Sequence, residues 1–144
     1  MSTSESAEKA INAIRTAKYV SFVSIRKNGT PVATPVWVAP LPFLGAQVFG
    51  FTIDAHSGKA KRLAHTSTVT VQPCDVRGRL VPGSQIVAGT AVVVSGDEAE
   101  RVRNAIANKY GFTYKLFSVY LWFSEHFGKG KDQPETAVVV TLTA

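Results

Sequence analysis

Residues 19–39 read YVSFVSIRKNGTPVATPVWVA, two runs of β-branched and aromatic residues on either side of one Asn-Gly pair. Because Asn28 and Gly29 both tolerate a positive φ angle, the pair is a strong signal for a β-hairpin turn. The first run places apolar side chains on both of its faces, which is typical of a strand that is covered on both sides. We therefore predict strands at Tyr19–Arg26 and Pro31–Ala39 within a sheet that closes on itself.

The remaining pattern predicts four more strands and four short helices. A mostly antiparallel sheet of six strands is expected, because the first connection is a hairpin and the helices are short. Apolar residues on both faces of the strands favour closure of this sheet into a small barrel. The further strands are predicted at Gln47–Ile53, Val69–Cys74, Ser84–Ser95 and Thr136–Thr143. The helices are predicted within residues 1–16, at 57–64, from about Gly96 to Tyr110 with Gly111 as the C-cap, and at 113–127, an aromatic-rich segment.

The composition indicates a globular, soluble protein. The chain has 144 residues, of which 45% are hydrophobic and 18% charged, so it is long enough to bury a core and too apolar to be disordered. No apolar run approaches the roughly 18 residues needed to span a membrane, and the first residues lack the apolar segment of a signal peptide. A single cysteine, Cys74, excludes a disulfide within the chain. We expect one domain over residues 1–144, located in the cytoplasm.

Half of the net charge of +6 lies between Asp54 and Gly83, where five Lys and Arg residues face two Asp residues. Ser57 is suited to cap the helix that starts there, and Gly58 would let an anion approach the backbone. The positive end of the helix dipole and the cations Lys59, Lys61 and Arg62 would then favour phosphate. The spacing is not that of a Walker loop. The alternative is that these cations only solvate an exposed face.

Few other residues suggest chemistry. Pro35 interrupts a strand, which indicates either an ordinary edge strand or a free backbone edge where a flat ligand could bind. Trp37 is expected in the core, and Cys74 is expected to be a small buried residue. The three histidines lack the spacing of a metal site, and no Ser/His/Asp constellation can be assigned. The catalytic residues are therefore unknown, no metal is expected, and a bound cofactor would supply the chemistry of any enzyme built on this chain.

The order of motifs resembles a known family. These motifs are TPVWV at residues 34–38, FTI at 51–53, GKAKRL at 58–63 and PCDVRG at 73–78. Together they resemble the split β-barrel flavin and deazaflavin oxidoreductases, which are related to pyridoxamine 5'-phosphate oxidase, and in particular the branch that uses coenzyme F420. The resemblance covers roughly residues 19–94 and is weaker towards the end of the chain. It implies a single split β-barrel domain of the FMN-binding type that forms a homodimer.

The resemblance also implies a function and a set of site residues. Reduced deazaflavin would transfer a hydride to a conjugated small-molecule acceptor, from cofactor sites between the two subunits. Pro35 stands where many members of the family have a polar residue. The aromatic segment 113–127 would either line the pocket mouth or pack on the barrel. The implied cofactor-binding residues are Thr34, Pro35 and Val36, Thr52 and Ile53 for the ring and its chain, and Ser57, Gly58, Lys59, Lys61 and Arg62 for the phosphate.

The sequence is also compatible with three other functions. An FMN-dependent oxidase or reductase would have the same fold. A barrel without enzymatic activity could sequester a deazaflavin, haem or another anionic ligand. A nucleic-acid-binding barrel is suggested by the pI of about 9.7, but single-strand binders spread cations and aromatics along a sheet face. Here the cations gather at one helix start and one loop, so we expect no nucleic-acid partner.

Overall fold

A computed structural model describes residues 3–53, 58–111 and 136–143 of the chain. These ranges form three α-helices and a seven-stranded antiparallel sheet. Ser57 and the predicted helix at 113–127 lie outside the described residues, and the single domain over residues 1–144 stays a prediction. The helices are α1 (Thr3–Thr16), α2 (Gly58–His65) and α3 (Asp97–Tyr110). The strands are β1 (Tyr19–Ile25), β2 (Pro31–Val36), β3 (Ala39–Pro40), β4 (Val48–Ile53), β5 (Thr68–Cys74), β6 (Val87–Ser95) and β7 (Thr136–Leu142).

The sheet curls because its two edges are joined by a very short piece of chain. The strand order is β2-β1-β5-β6-β7-β4-β3, so β2 and β3 are the two edge strands. Only Trp37 and Val38 separate β2 from β3 in the sequence. Three Cα–Cα steps span at most about 11 Å, so the edges must lie close together. The result is a curled half-barrel, as the two-sided apolar pattern predicted.

The strand count differs from the prediction because the run at 31–39 divides. Residues 31–36 pair with β1, in a register that places Val36 opposite Val20. Ala39 and Pro40 pair instead with Gly50 and Phe49 of β4. The chain thus changes partners at Trp37 and Val38, and a sheet predicted with six strands has seven. β6 also begins at Val87 rather than Ser84.

The hairpin turn confirms the Asn-Gly prediction. Gly29 has φ 90°, and the Arg26 N–H donates to Thr30 O over 2.8 Å. Pro35 lies on β2, an edge strand, opposite Ser21 of β1. An edge position accommodates proline because it leaves only one side of the strand paired.

The curl of the sheet creates two apolar cores. The larger core fills the interior, where Phe22 and Phe51 meet edge-to-face with 4.8 Å between ring centroids. Leu63 of α2 and the apolar side of α1 complete this core. The smaller core lies between α3 and the outer side of β4 and β7, where Val102 is 1% exposed. No described helix is both long enough and apolar enough to cross a membrane.

The end of α3 is attached to the segment where β2 gives way to β3. Lys109 Nζ donates to Ala17 O over 2.8 Å and to Val38 O over 2.7 Å. The Tyr110 hydroxyl lies 2.8 Å from Lys18 O and 3.1 Å from Val38 O. Trp37, expected in the core, is half-buried and stacks on the Tyr110 ring, with 4.6 Å between centroids. Burial lowers the pKa of Lys109 to about 8 and raises the pKa of Tyr110 above its ordinary value.

We expect the Lys109 amine to make stability rise with pH between about 8 and about 10. The unfolded lysine keeps its proton up to its ordinary pKa of 10.5, so in this window the unfolded state binds more protons than the folded state. Above about pH 10 the trend reverses, because the unfolded tyrosine deprotonates before the buried Tyr110. Relative to Lys109→Met, the wild type should gain up to about 1–2 kcal/mol over the window, after allowance for solvent screening. Urea unfolding of both proteins at several pH values tests this, and parallel pH curves would contradict it.

Gly50 allows α3 to pack closely on β4. A Cβ atom at Gly50 would lie 2.9 Å from Leu41 Cδ1 and 2.9 Å from Val102 Cγ1. We expect Gly50→Ala to destabilise the fold by about 1–3 kcal/mol through overpacking. The double variant Gly50→Ala/Val102→Ala should lose less than the sum of the single variants, because Val102 is one of the two obstacles. Additive losses in thermal unfolding would show that the close contact is not the cause.

Candidate functional site

The start of α2 is built around the guanidinium group of Arg62. Arg62 Nε donates to Ser24 Oγ over 2.5 Å. Ser24 is fully buried and lies on the same side of β1 as Phe22. A Cβ atom at Gly58 would lie 2.7 Å from Arg62 Nη1, so the missing side chain leaves room for the guanidinium at the first turn of the helix. Arg62 therefore links the helix start to the end of the barrel interior.

Three cations gather at this end of the barrel, and we refer to Arg26, Lys59 and Arg62 as the basic cluster. Burial lowers the pKa of Lys59, and the neighbouring charge of Arg62 lowers it further. The pKa of Arg62 is lowered by burial and then by the charge of Arg26. None of the three has an ion pair with a carboxylate among the described residues. An anion bound here would relieve both the repulsion and the desolvation.

The structure describes only one of the two other predicted phosphate ligands, Lys61. Lys61 lies on α2 but is exposed, in contrast to the half-buried Lys59. Ser57 is outside the described residues, so its capping role stays a prediction. The structure therefore brings Gly58, Lys59 and Arg62 together and leaves Lys61 at the surface.

The β2 residues of the predicted site point to different sides of the sheet. Thr34 lies opposite Phe22, and Val36 lies opposite Val20, so both are on the interior side. Val36 is buried in the core, whereas Thr34 is half-buried and its Oγ1 atom is buried without a hydrogen-bond partner. Pro35 is exposed on the outer side. Of the three, Thr34 has a polar atom that lacks a partner, and Pro35 presents the accessible surface.

A loop with two arginines lies beside Pro35. A Cβ atom at Gly78 would be 3.8 Å from Pro35 Cδ. Asp75 shapes this loop: its Oδ1 accepts the N–H groups of Arg77 and Arg79, each at 2.9 Å, and its Oδ2 accepts Arg79 Nε at 2.8 Å. These hydrogen bonds, foremost that from the Arg79 backbone, hold the pKa of Asp75 below its ordinary value. The side chain of Arg77 is exposed and has no ion pair within the described part of the chain.

The two β4 residues of the predicted site lie at the end of the strand next to the edge strand β3, and they point to opposite sides of the sheet. Thr52 is exposed, and Ile53 is half-buried against the interior core. Ala39 lies opposite Gly50 in an antiparallel register. If this register is extended by three residues, Val36 comes level with Ile53. The ends of β2 and β4 thus flank the place where the chain changes partners.

Sequence reasoning missed three residues that shape this region. Ser24 and Arg26 belong to the structure around Arg62, and Gln72 crosses the outer side of β5 to Ser84, with 3.0 Å between Nε2 and Oγ. Ser24 had a signal: it is a polar residue at an interior position of a strand that otherwise alternates Val20 and Phe22. Arg26 and Gln72 had none, because their roles depend on segments distant in the sequence. Cys74 is buried as expected, and burial followed by the charge of Asp75 raises its pKa.

The described residues contain no group of three or more potential metal ligands. His65 is one of the described residues, whereas His56 and His126 lie outside the described ranges.

Comparison with known proteins finds similarity in structure only. No protein-family model and no curated protein matches the chain. An F420 reductase superposes with a TM-score of 0.57 at 17% identity, over 92% of this chain and 93% of that chain. A putative pyridoxamine 5'-phosphate oxidase from Listeria innocua gives 0.59 at 12% identity, over 99% and 95%. The heme storage protein HutZ from Vibrio cholerae gives 0.60 at 11% identity, over 100% and 92%.

The chain has the split-barrel fold. Its structural neighbours include an F420 reductase and proteins similar to pyridoxamine 5'-phosphate oxidase, in agreement with the resemblance in the sequence motifs. At these identities the likeness establishes a shared architecture. It leaves the cofactor open, because the neighbours also include a heme storage protein.

The basic cluster should reduce the stability of the free protein. We expect Lys59→Met to stabilise the protein by less than about 1 kcal/mol in phosphate-free buffer at low salt, because it removes a partly desolvated charge that the solvent still screens. The matched control is Lys61→Met, which removes an exposed charge from the same helix and should change little. Thermal unfolding measures both, and equal shifts would contradict a special environment at Lys59.

Proposed function

We propose that this protein is an F420-dependent oxidoreductase that transfers a hydride from reduced deazaflavin to a conjugated small-molecule acceptor. The observation that carries the proposal is the basic cluster, whose three cations have no described carboxylate partner at the start of a helix that follows a strand. The sequence motifs and the split-barrel neighbours support the same function. From the family resemblance, we also propose that the protein is a homodimer and that it is located in the cytoplasm.

The described residues fit such a cofactor at two points. The cluster supplies positive charge for a phosphate, and the missing side chain at Gly58 leaves room for the Arg62 guanidinium at the helix start. Thr34 Oγ1 is a buried polar atom that lacks a hydrogen-bond partner, as expected beside a ligand that would supply one. A bound reduced deazaflavin supplies the hydride.

The protein would contribute binding and orientation. Lys59 and Arg62 would hold the phosphate, with Arg62 itself oriented by Ser24 Oγ. Thr34 and Pro35 near the end of β2, and Thr52 and Ile53 at the end of β4, would position the ring. Fixing the acceptor over that ring would provide most of the rate by proximity. No side chain is assigned as a proton donor.

Coenzyme F420 fits the charge distribution beyond the phosphate. With a phosphate and a glutamate tail joined by a lactyl group, it carries more negative charge than FMN does. Arg77 is exposed in the loop beside Pro35 and could meet a second anionic group. The bound ligand would then extend from the basic cluster towards this loop.

A second copy of the chain would cover an apolar surface. Strand β6 and the loop before it expose large hydrophobic side chains, which a partner surface could cover. We propose that these side chains lie in a homodimer interface, with the cofactor sites between the subunits. They are Val76, Leu80, Val81, Ile86, Val92 and Val93, the most exposed being Ile86 at 67%.

The direct test is a fluorescence titration of the purified protein with F420 and, in parallel, with FMN and haemin. We expect tight binding of F420, followed by hydride transfer to acceptors in a screen with the reduced cofactor. A preference for FMN would indicate the oxidase or reductase alternative, and a preference for haemin would indicate a binding protein without this activity. Either preference, or binding of none of the three, would overturn the proposal.

Substitutions within α2 separate a phosphate site from general charge attraction. We expect Lys59→Ala to weaken F420 binding by about 10-fold to 100-fold, because it removes a charge-assisted contact. Lys61→Ala removes the same charge from the same helix but at an exposed position, so its effect should stay below about 3-fold. Titrations at two salt concentrations measure both. Equal losses for the two variants would mean that the helix attracts anions without a defined site.

A further inference from the structure

A cavity lies outside the barrel, on the side of the sheet that carries α3. It has a volume of about 710 Å³, is open to solvent, and is bordered by the end of α1, the segment from Pro40 to Phe43 and the outward side of α3. This volume is within the range of sites that hold organic ligands. None of the described residues of the candidate cofactor site lines it.

The polar side of α3 points into this cavity. Arg101, Asn104, Asn108 and Lys109 line it. The first three are separated by three and four residues, which places them on one side of the helix, and Lys109 lies at the border between this side and the buried one. The opposite side of the same helix, including Val102 and Ile106, is buried in the fold. The arrangement combines two amide groups with two cations along one wall.

The cations of the cavity have no carboxylate partner among the described residues. Arg15 reaches in from α1, where its guanidinium donates to Asn12 Oδ1 and to Ala46 O, the latter over 3.0 Å. Lys109 uses two ammonium hydrogens for Ala17 O and Val38 O, which leaves a third. Among the described residues, no carboxylate lines the cavity. Three positive charges around one concave surface favour an anionic occupant.

The facing wall is apolar and flat. Phe43 is 52% exposed, although it is a large hydrophobic residue, and Pro40 and Pro42 flank it. The Arg101 guanidinium lies 5.8 Å from the centroid of the Phe43 ring. An aromatic group placed against Phe43 would therefore lie beside a cation that can also pair with a carboxylate.

We propose that this cavity is a binding site for an organic carboxylate that carries an aromatic or similarly flat apolar group. The carboxylate pairs with Arg101, Arg15 and Lys109, the amides of Asn104 and Asn108 bind its other polar atoms, and the flat group packs on Phe43. The site is independent of the proposed cofactor site.

Calorimetric titration of the full chain with 2-naphthoate tests the proposal, and 2-naphthamide is the neutral probe of the same shape. We expect 2-naphthoate to bind at least about 10-fold more tightly, since only the carboxylate can pair with the cations. Equal affinities for the two probes, or no binding of 2-naphthoate at millimolar concentration, would overturn the proposal.

Variants locate the site. Arg101→Gln and Phe43→Ala should each weaken 2-naphthoate binding by about 10-fold. Arg103→Gln removes an equal charge from an exposed position of the same helix and should leave the affinity for 2-naphthoate unchanged.

Lys59→Ala should also leave the affinity for 2-naphthoate unchanged, while Arg101→Gln should leave F420 binding unchanged. Losses that are equal for Arg101→Gln and Arg103→Gln, or a loss for Lys59→Ala, would place the probe elsewhere. These controls separate a failure of this site from a failure of the proposed cofactor site.

Discussion

The short connection between β2 and β3 controls the architecture. Trp37 and Val38 join strands at opposite edges of a seven-stranded sheet, so the sheet has to curl until its edges approach each other. The curl encloses the interior core and leaves an outer side for α3. Lys109 and Tyr110 bind Val38 O from α3, which holds the connection in place. The candidate site depends on the same connection, because the ends of β2 and β4 flank the point where pairing changes.

Positive charge is concentrated at the basic cluster, where no carboxylate of the described residues forms an ion pair with it. Burial and mutual repulsion lower the pKa values of Lys59 and Arg62. Stable folds usually pair or solvate such groups. Structural cations often occur in ion pairs, as with Asp75 and Arg79. A cluster of cations that has no carboxylate partner within residues 3–53, 58–111 and 136–143, at a helix start beside a buried serine, is better explained by a ligand than by stability.

Local signals predicted most elements of the fold well. The Asn28-Gly29 turn, the alternating apolar strands and the Gly111 C-cap of α3, whose N–H donates to Ala107 O over 2.9 Å, all follow from short-range preferences. The division of residues 31–39 into two strands could not be predicted. Nothing in VATPVWVA indicates a change of partner, since both halves favour extended structure and the choice depends on where β1 and β4 lie.

In the candidate site, too, some features follow from the local sequence and others only from the tertiary structure. By itself, the sequence determined that a helix with a basic start follows a strand, because the strand run before Asp54 and the glycine and cations at residues 58–62 are local features. Only the tertiary structure decided that Lys59 is half-buried while Lys61 is exposed, and that Ser24 and Arg26 join Arg62. It alone brought α1, residues 40–43 and α3 around a cavity outside the barrel. Such contacts join residues far apart in the chain, and the closure of the sheet, rather than any local preference, brings them together.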